Sequence, residues 1–186
     1  MAGWRGIIGR GSCGALIGAL AALSLCSTAS AAAVTEFVVP TPNSQPAGLT
    51  VGPDGALWFT EENGHKIGRI TTDGAITEYP LPTNPSSPGE ITAGPDGALW
   101  FTEFGANPPK VGRLTTAGVF TEWELPLGAA PDGITAGPDG AIWFTHNGAR
   151  KIGRITTNGA ELTEYVLQIR LRPKECCRAH RRATSS

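Results

Sequence analysis

GPDGALWFTEENGHKIGRITTDGAITEYPLP, residues 52–82, is followed by two near copies of itself. They are GPDGALWFTEFGANPPKVGRLTTAGVFTEWELP at 94–126 and GPDGAIWFTHNGARKIGRITTNGAELTEYVLQ at 137–168. The copies start 42 and 43 residues apart. A fixed period of that size signals stacked supersecondary units rather than one irregular core.

Each copy reads as strands throughout. A short run with Leu49 and Val51 precedes Gly52-Pro53-Asp54-Gly55, a tight turn in which proline presets the second position and glycine suits the fourth. Residues 56–61 alternate as a strand, with Leu57 and Phe59 on one face and Trp58 and Thr60 on the other. Asn63-Gly64 marks a hairpin. Residues 66–72 form a third strand and 76–81 a fourth, stopped by Pro82. Four strands per period, with large apolar residues on both faces of the second, describe sheets stacked face to face. The expected fold is all-β: four-stranded blades of β-propeller type, about three of them, an incomplete propeller.

Trp58, Trp100 and Trp143 hold equivalent places and are expected to pack between blades, each burying ~150–250 Å². The middle blade alone has a neighbour on each side, so Trp100 is expected to be the most deeply packed of the three. Residues 34–40 (VTEFVVP) match a fourth strand and are expected to lead the array as an extra strand. Two apolar blade faces remain uncovered in such a stack, which predicts self-association through them.

The ends differ from the body. Residues 1–33 carry Arg5 and Arg10, an apolar run from Ala15 to Leu25 and small residues at 29–33, the pattern of a cleaved signal peptide. A secreted or periplasmic protein, free of the membrane after cleavage, is the expectation. The repeat body occupies 34–167. Residues 168–186 break the period with five arginines and Lys174 against one acid, Glu175. They read as a basic disordered tail, as the product of a frameshift in a longer repeat protein, or as a nucleic-acid-binding arm. Removing both ends changes the charge. The body holds seven basic and fifteen acidic residues, a net of −8. Such a surface argues against phosphate and so against nucleic-acid partners. It contains no cysteine, hence no disulfide framework and no zinc spacing.

LWFTE, KIGRITT and ITEYPLP, with the openings Pro46-Ala47-Gly48-Leu49 and Pro131-Asp132-Gly133-Ile134, resemble the streptogramin lyase (virginiamycin B lyase) family across residues 34–167. The resemblance implies a seven-bladed propeller that opens cyclic type B streptogramins by elimination at an ester, a carbon–oxygen lyase reaction linked to antibiotic resistance. It further implies a base that removes the proton α to the ester carbonyl and a magnesium ion that stabilises the enolate. The family base is a histidine in a Pro-His-Gly-Ile-type segment, with one metal-binding glutamate nearby and another from a later blade. Here the histidine place is taken by Ala47, Gly89 and Asp132, and the preceding glutamate place by Gln45, Ser87 and Ala130. No catalytic residue and no metal ligand is therefore assigned, and magnesium is expected only if the family activity is retained.

Three weaker candidates remain. Glu90 and Asp132 lie near the starts of first strands, which line a propeller's channel, and two carboxylates there suit a cation. His146 replaces the glutamate of Glu61 and Glu103 and reads as a solvent-facing loop residue or a ligand group. His65, in the hairpin, reads as part of a solvated turn. Alternatives to a lyase are a non-catalytic extracellular module binding a small molecule or glycan, and a truncated product.

Overall fold

The computed structural model describes residues 34–167. The signal-peptide and basic-tail assignments fall outside these residues.

Three sheets of four antiparallel strands follow one another along the chain, in the orders β1-β2-β3-β4, β5-β6-β7-β8 and β9-β10-β11-β12. Blade one comprises β1 (Pro46–Val51), β2 (Leu57–Glu61), β3 (Lys66–Ile70) and β4 (Ile76–Pro80). Blade two comprises β5 (Pro88–Ala93), β6 (Ala98–Glu103), β7 (Lys110–Thr115) and β8 (Phe120–Glu124). Blade three comprises β9 (Pro131–Ala136), β10 (Ile142–His146), β11 (Lys151–Ile155) and β12 (Leu162–Val166). No helix occurs among the described residues. The all-β blade architecture read from the repeat is the one observed.

The repeated words now have physical roles. In the Gly-Pro-Asp-Gly turn, Gly55 has φ 76° and its N–H donates to the Gly52 carbonyl at 3.0 Å. The turn aspartate is a clamp: Trp58 Nε1 donates to Asp54 Oδ1 at 2.9 Å, and Arg69 Nε donates to Oδ2 at 2.7 Å. Asp96 binds Trp100 and Arg113 in the same way, and Asp139 binds Trp143 and Arg154. The third-strand glycine has an equally specific cause. At Gly112 a Cβ would stand 2.2 Å from the Phe101 ring, which lies across it. Any side chain there displaces a buried aromatic.

Blades pack through opposite faces. Trp58, Ile67 and Leu81 of blade one meet Ile91, Leu99 and Phe101 of blade two. Trp100, Val111 and Leu125 of blade two then meet Ile142, Phe144 and Ile155 of blade three. The tryptophan therefore faces only the following blade. Trp58 and Trp100 are both 0% exposed, whereas Trp143 is half-buried. This corrects the expectation that the middle blade alone seals its tryptophan: one neighbour, on the correct side, is enough.

The expected leading strand is absent, because no strand forms between residues 34 and 40. A fourth strand pairs with a third strand, and β3, β7 and β11 are each already paired with β4, β8 and β12, so no place is left for it among the described blades. The segment is held otherwise. The Phe37 ring lies against Gly74, and Thr41 binds the Glu78 carboxylate through its N–H at 2.9 Å and its hydroxyl at 2.8 Å.

Candidate functional site

The first strands β1, β5 and β9 pack side by side and form the inner edge of the array. Each carries a one-residue irregularity near its start, between Pro46 and Leu49, between Pro88 and Ile91, and opposite Phe144 and His146. A bulge interrupts the ladder and turns a side chain away from its normal alternation. These bulges contain Ala47, Gly89 and Asp132, the places to which the resemblance assigns a base.

A threonine relay ties the bulges together. Gly48 N–H donates to Thr60 Oγ1 at 2.9 Å, and that hydroxyl donates to the Gly89 carbonyl of the next blade at 2.6 Å. Glu90 N–H donates to Thr102 Oγ1 at 3.1 Å, which donates to the Asp132 carbonyl at 3.0 Å. Close approach explains Gly48, where a Cβ would lie 2.9 Å from both Gly89 O and Ile91 N.

Glu90 and Asp132 are both exposed, on neighbouring strands β5 and β9. They do not occupy equivalent places. Asp132 corresponds to Gly89, and Glu90 corresponds to Gly133. Among the described residues no three His, Cys, Asp or Glu side chains stand together to hold a metal. A surface hollow of about 300 Å³ lies elsewhere, among the blade-three turns that include Asp139, Arg154 and Glu161.

His146 is not a solvent-facing loop residue. It ends β10, is 4% exposed, and has no hydrogen-bond partner on either ring nitrogen. Its ring lies 5.2 Å from Phe144, and Nε2 is 3.4 Å from Glu164 Oε1. Burial lowers its pKa and Lys151 adds to this, while Glu164 opposes. The alternation of β10 decides the outcome: Ile142, Phe144 and His146 share the face turned into the array. His65 is also no solvated turn residue. It is half-buried with φ 51°, and its Nδ1 accepts the Ser87 N–H at 3.2 Å, fixing the segment that opens β5.

Sequence reasoning missed a charged network behind this edge. Lys66 Nζ donates to Glu78 Oε2 at 2.6 Å and to Thr41 Oγ1 at 2.5 Å. Lys110, Glu122 and Thr83 repeat it in blade two. Beside it lie Glu61 and Glu103, 0% exposed, with no partner for either carboxylate oxygen. Burial, then the charge of Glu122, pushes Glu103 up to about 8 against the pull of Lys110. The signal was present in the period of the acids: each WFTE glutamate recurs with the KIGR lysine and the TEY or TEW glutamate.

The Virginiamycin B lyase family model matches residues 18–183. The chain belongs to that family. Virginiamycin B lyase of Bacillus licheniformis is 54% identical over 41 residues, 22% of this chain and 14% of that protein. The Bordetella pertussis enzyme is 49% identical over 41 residues, again 22% and 14%. Among solved structures, virginiamycin B lyase from Staphylococcus aureus superimposes with TM-score 0.69 at 50% identity, over 73% of this chain and 46% of that one. A catalytically inactive form of the Staphylococcus aureus enzyme, solved with quinupristin, gives 0.69 and 50% over 73% and 45%. The chain thus spans less than half the length of these solved lyases. A 6-phosphogluconolactonase-like protein from Bacteroides fragilis, 21% identical with TM-score 0.53 over 69% and 39%, shares the fold alone.

Proposed function

We propose that this protein is an exported, lyase-type propeller that binds a type B streptogramin or a similar cyclic small molecule on its first-strand face without opening the ring. Family membership and 50% identity to solved streptogramin lyases, one of them solved with quinupristin, support the ligand class. One observation carries the absence of turnover. The elimination that the resemblance implies uses a histidine base within reach of the α proton, and the three bulges of the described blades carry alanine, glycine and aspartate at the places equivalent to that histidine. His146 does not substitute for it, because its ring is buried within blade three and its pKa is lowered.

In this reading Glu90 and Asp132 are the carboxylates that meet the ligand, and the bulges set their direction. Equilibrium dialysis of the mature protein against quinupristin tests it. Saturable binding that weakens in Glu90→Ala and Asp132→Ala is expected. Absence of binding, or binding unchanged in both variants, rejects this surface as the ligand site.

A further inference from the structure

Blade two has a described blade on each side, and its first-strand edge differs from the other two in three linked ways. Its bulge carries Gly89, without a side chain, where blade one has Ala47 and blade three Asp132. The residue after its second-strand glutamate is Phe104, where blade one has Glu62 and blade three has Asn147 after His146. The loop that begins there, residues 104–109, is two residues longer than the loops at 62–65 and 147–150.

These differences meet at one point. A Cβ at Gly89 would stand 3.3 Å from Phe104 Cδ1 and 3.5 Å from its Cε1. The ring therefore lies where a side chain of the bulge would emerge, and Glu90 follows that bulge residue directly in β5. Phe104 is nevertheless 44% exposed, although both neighbouring blades are in place. In blade one the equivalent Glu62 is tied down within its own edge, where its Oε2 accepts from Gln45 Nε2 at 3.2 Å. The loop under Phe104 is fixed at both ends. Gly105 N–H donates to the Ser86 carbonyl at 3.0 Å, Leu125 N–H donates to the Pro109 carbonyl at 2.8 Å, and Ala106 between them is 4% exposed. A lone exposed apolar residue needs no function. An aromatic ring seated on the bulge glycine, on an anchored loop beside an exposed carboxylate, offers a ligand apolar area at low entropic cost.

We propose that Phe104 is a binding residue for the apolar part of the cyclic ligand, an aromatic wall that takes in blade two the place Asp132 holds in blade three. The inference rests on the reading that the first-strand face is the ligand site. It adds a chemical division to that face: blade two offers a ring for stacking and dispersion contact, while Glu90 and Asp132 meet polar or cationic groups. Apolar and aromatic lining with a few placed polar groups is the usual make-up of a small-molecule site. The ligand class this favours is a cyclic molecule with a flat apolar group beside a polar one.

Equilibrium dialysis of the full mature chain against quinupristin tests the wall. Phe104→Ala is expected to weaken binding by about tenfold or more, as for a buried aromatic anchor. Phe104→Tyr keeps the ring and is expected to stay within about threefold of wild type. Phe104→Leu replaces the alanine variant if that one fails to unfold cooperatively. A second readout reports contact directly. In protein labelled with 4-fluorophenylalanine, quinupristin is expected to shift the fluorine resonance of Phe104 and to leave those of the sealed Phe101 and Phe144 in place. Wild-type binding that is unchanged in Phe104→Ala, equal losses in the alanine and tyrosine variants, or an unmoved Phe104 resonance at saturation overturns this inference alone. A wild-type protein that does not bind quinupristin overturns the ligand face and this inference together.

Discussion

Trp58→Ala, Trp100→Ala and Trp143→Ala probe the same chemical change in three blades that differ in what covers the indole. Trp58 and Trp100 are 0% exposed, and each stacks on a fourth-strand aromatic, Tyr79 at 5.4 Å and Trp123 at 5.0 Å. Deleting a sealed aromatic of that size costs about 3–5 kcal/mol, through lost transfer free energy and the cavity left behind. Trp143 stacks on Tyr165 at 5.5 Å but has no following blade among the described residues and is half-buried, so its truncation leaves a notch rather than a sealed cavity. About 1–2 kcal/mol is expected there, because no enclosed cavity forms. In a body of this size each kcal/mol corresponds to about 3–5 °C of Tm. The first two variants should therefore melt about 10–20 °C lower than their parent, and the third only about 3–8 °C lower. The measurement is urea and thermal unfolding of each variant beside its parent. If Trp143→Ala costs as much as Trp58→Ala, or if Trp58→Ala is much milder than Trp100→Ala, the one-sided packing of the tryptophan face is wrong.

Other consequences follow from the buried edge. Glu103 is pushed up to about 8 when folded, from 4.5 as a free side chain. Its raised pKa favours the folded state fully below 4.5, and that advantage is lost as pH rises toward 8, at up to about 1.4 kcal/mol per pH unit. Unfolding free energy measured from pH 4 to 9 should show this decline, and Glu103→Gln should flatten it; an unchanged slope contradicts the placement of the carboxyl. Gly48→Ala should cost about 2–3 kcal/mol, because its Cβ meets the backbone of the next first strand, whereas Gly133→Ala, with only Thr145 Oγ1 at 3.5 Å, should be close to neutral in denaturant unfolding. Asp139 is held down to about 2 by hydrogen bonds from Trp143 and Arg154. Carboxyl titration followed by NMR should show it ionised well below pH 3, and an ordinary titration near 4 contradicts the clamp.

The blades were legible because their signals are local and repeated. Alternation in LWFTE, the Gly-Pro-Asp-Gly turn and the Asn-Gly hairpin fix strands within a few residues. The place of Glu90 and Asp132 near the starts of first strands also followed from position in the repeat, whereas the bulges there did not. What escaped depends on contacts between segments. Residues 34–40 have the composition of a fourth strand, but the third strands of the described blades are already paired with their own. His146 read as loop because it follows the strongest part of the strand; in the fold it still pairs, opposite Lys151, and the alternation turns it inward. The burial of Glu61 and Glu103 was invisible because carboxylates seldom lie in a core without partners. Here they lie beside an ion pair whose lysine comes from the third strand and whose glutamate comes from the fourth.

The central claim is that this propeller recognises a ring it cannot open. Incubating the mature protein with quinupristin, with and without magnesium, tests that most directly. Elimination leaves the mass unchanged, so the linear product is read by chromatographic retention and by the absorbance of the new olefin. Complete recovery of the cyclic compound under both conditions, alongside saturable binding of it, is the predicted result. Magnesium-dependent appearance of the olefinic linear product, lost in His146→Ala, would contradict the account and place the base in a ring now described as buried.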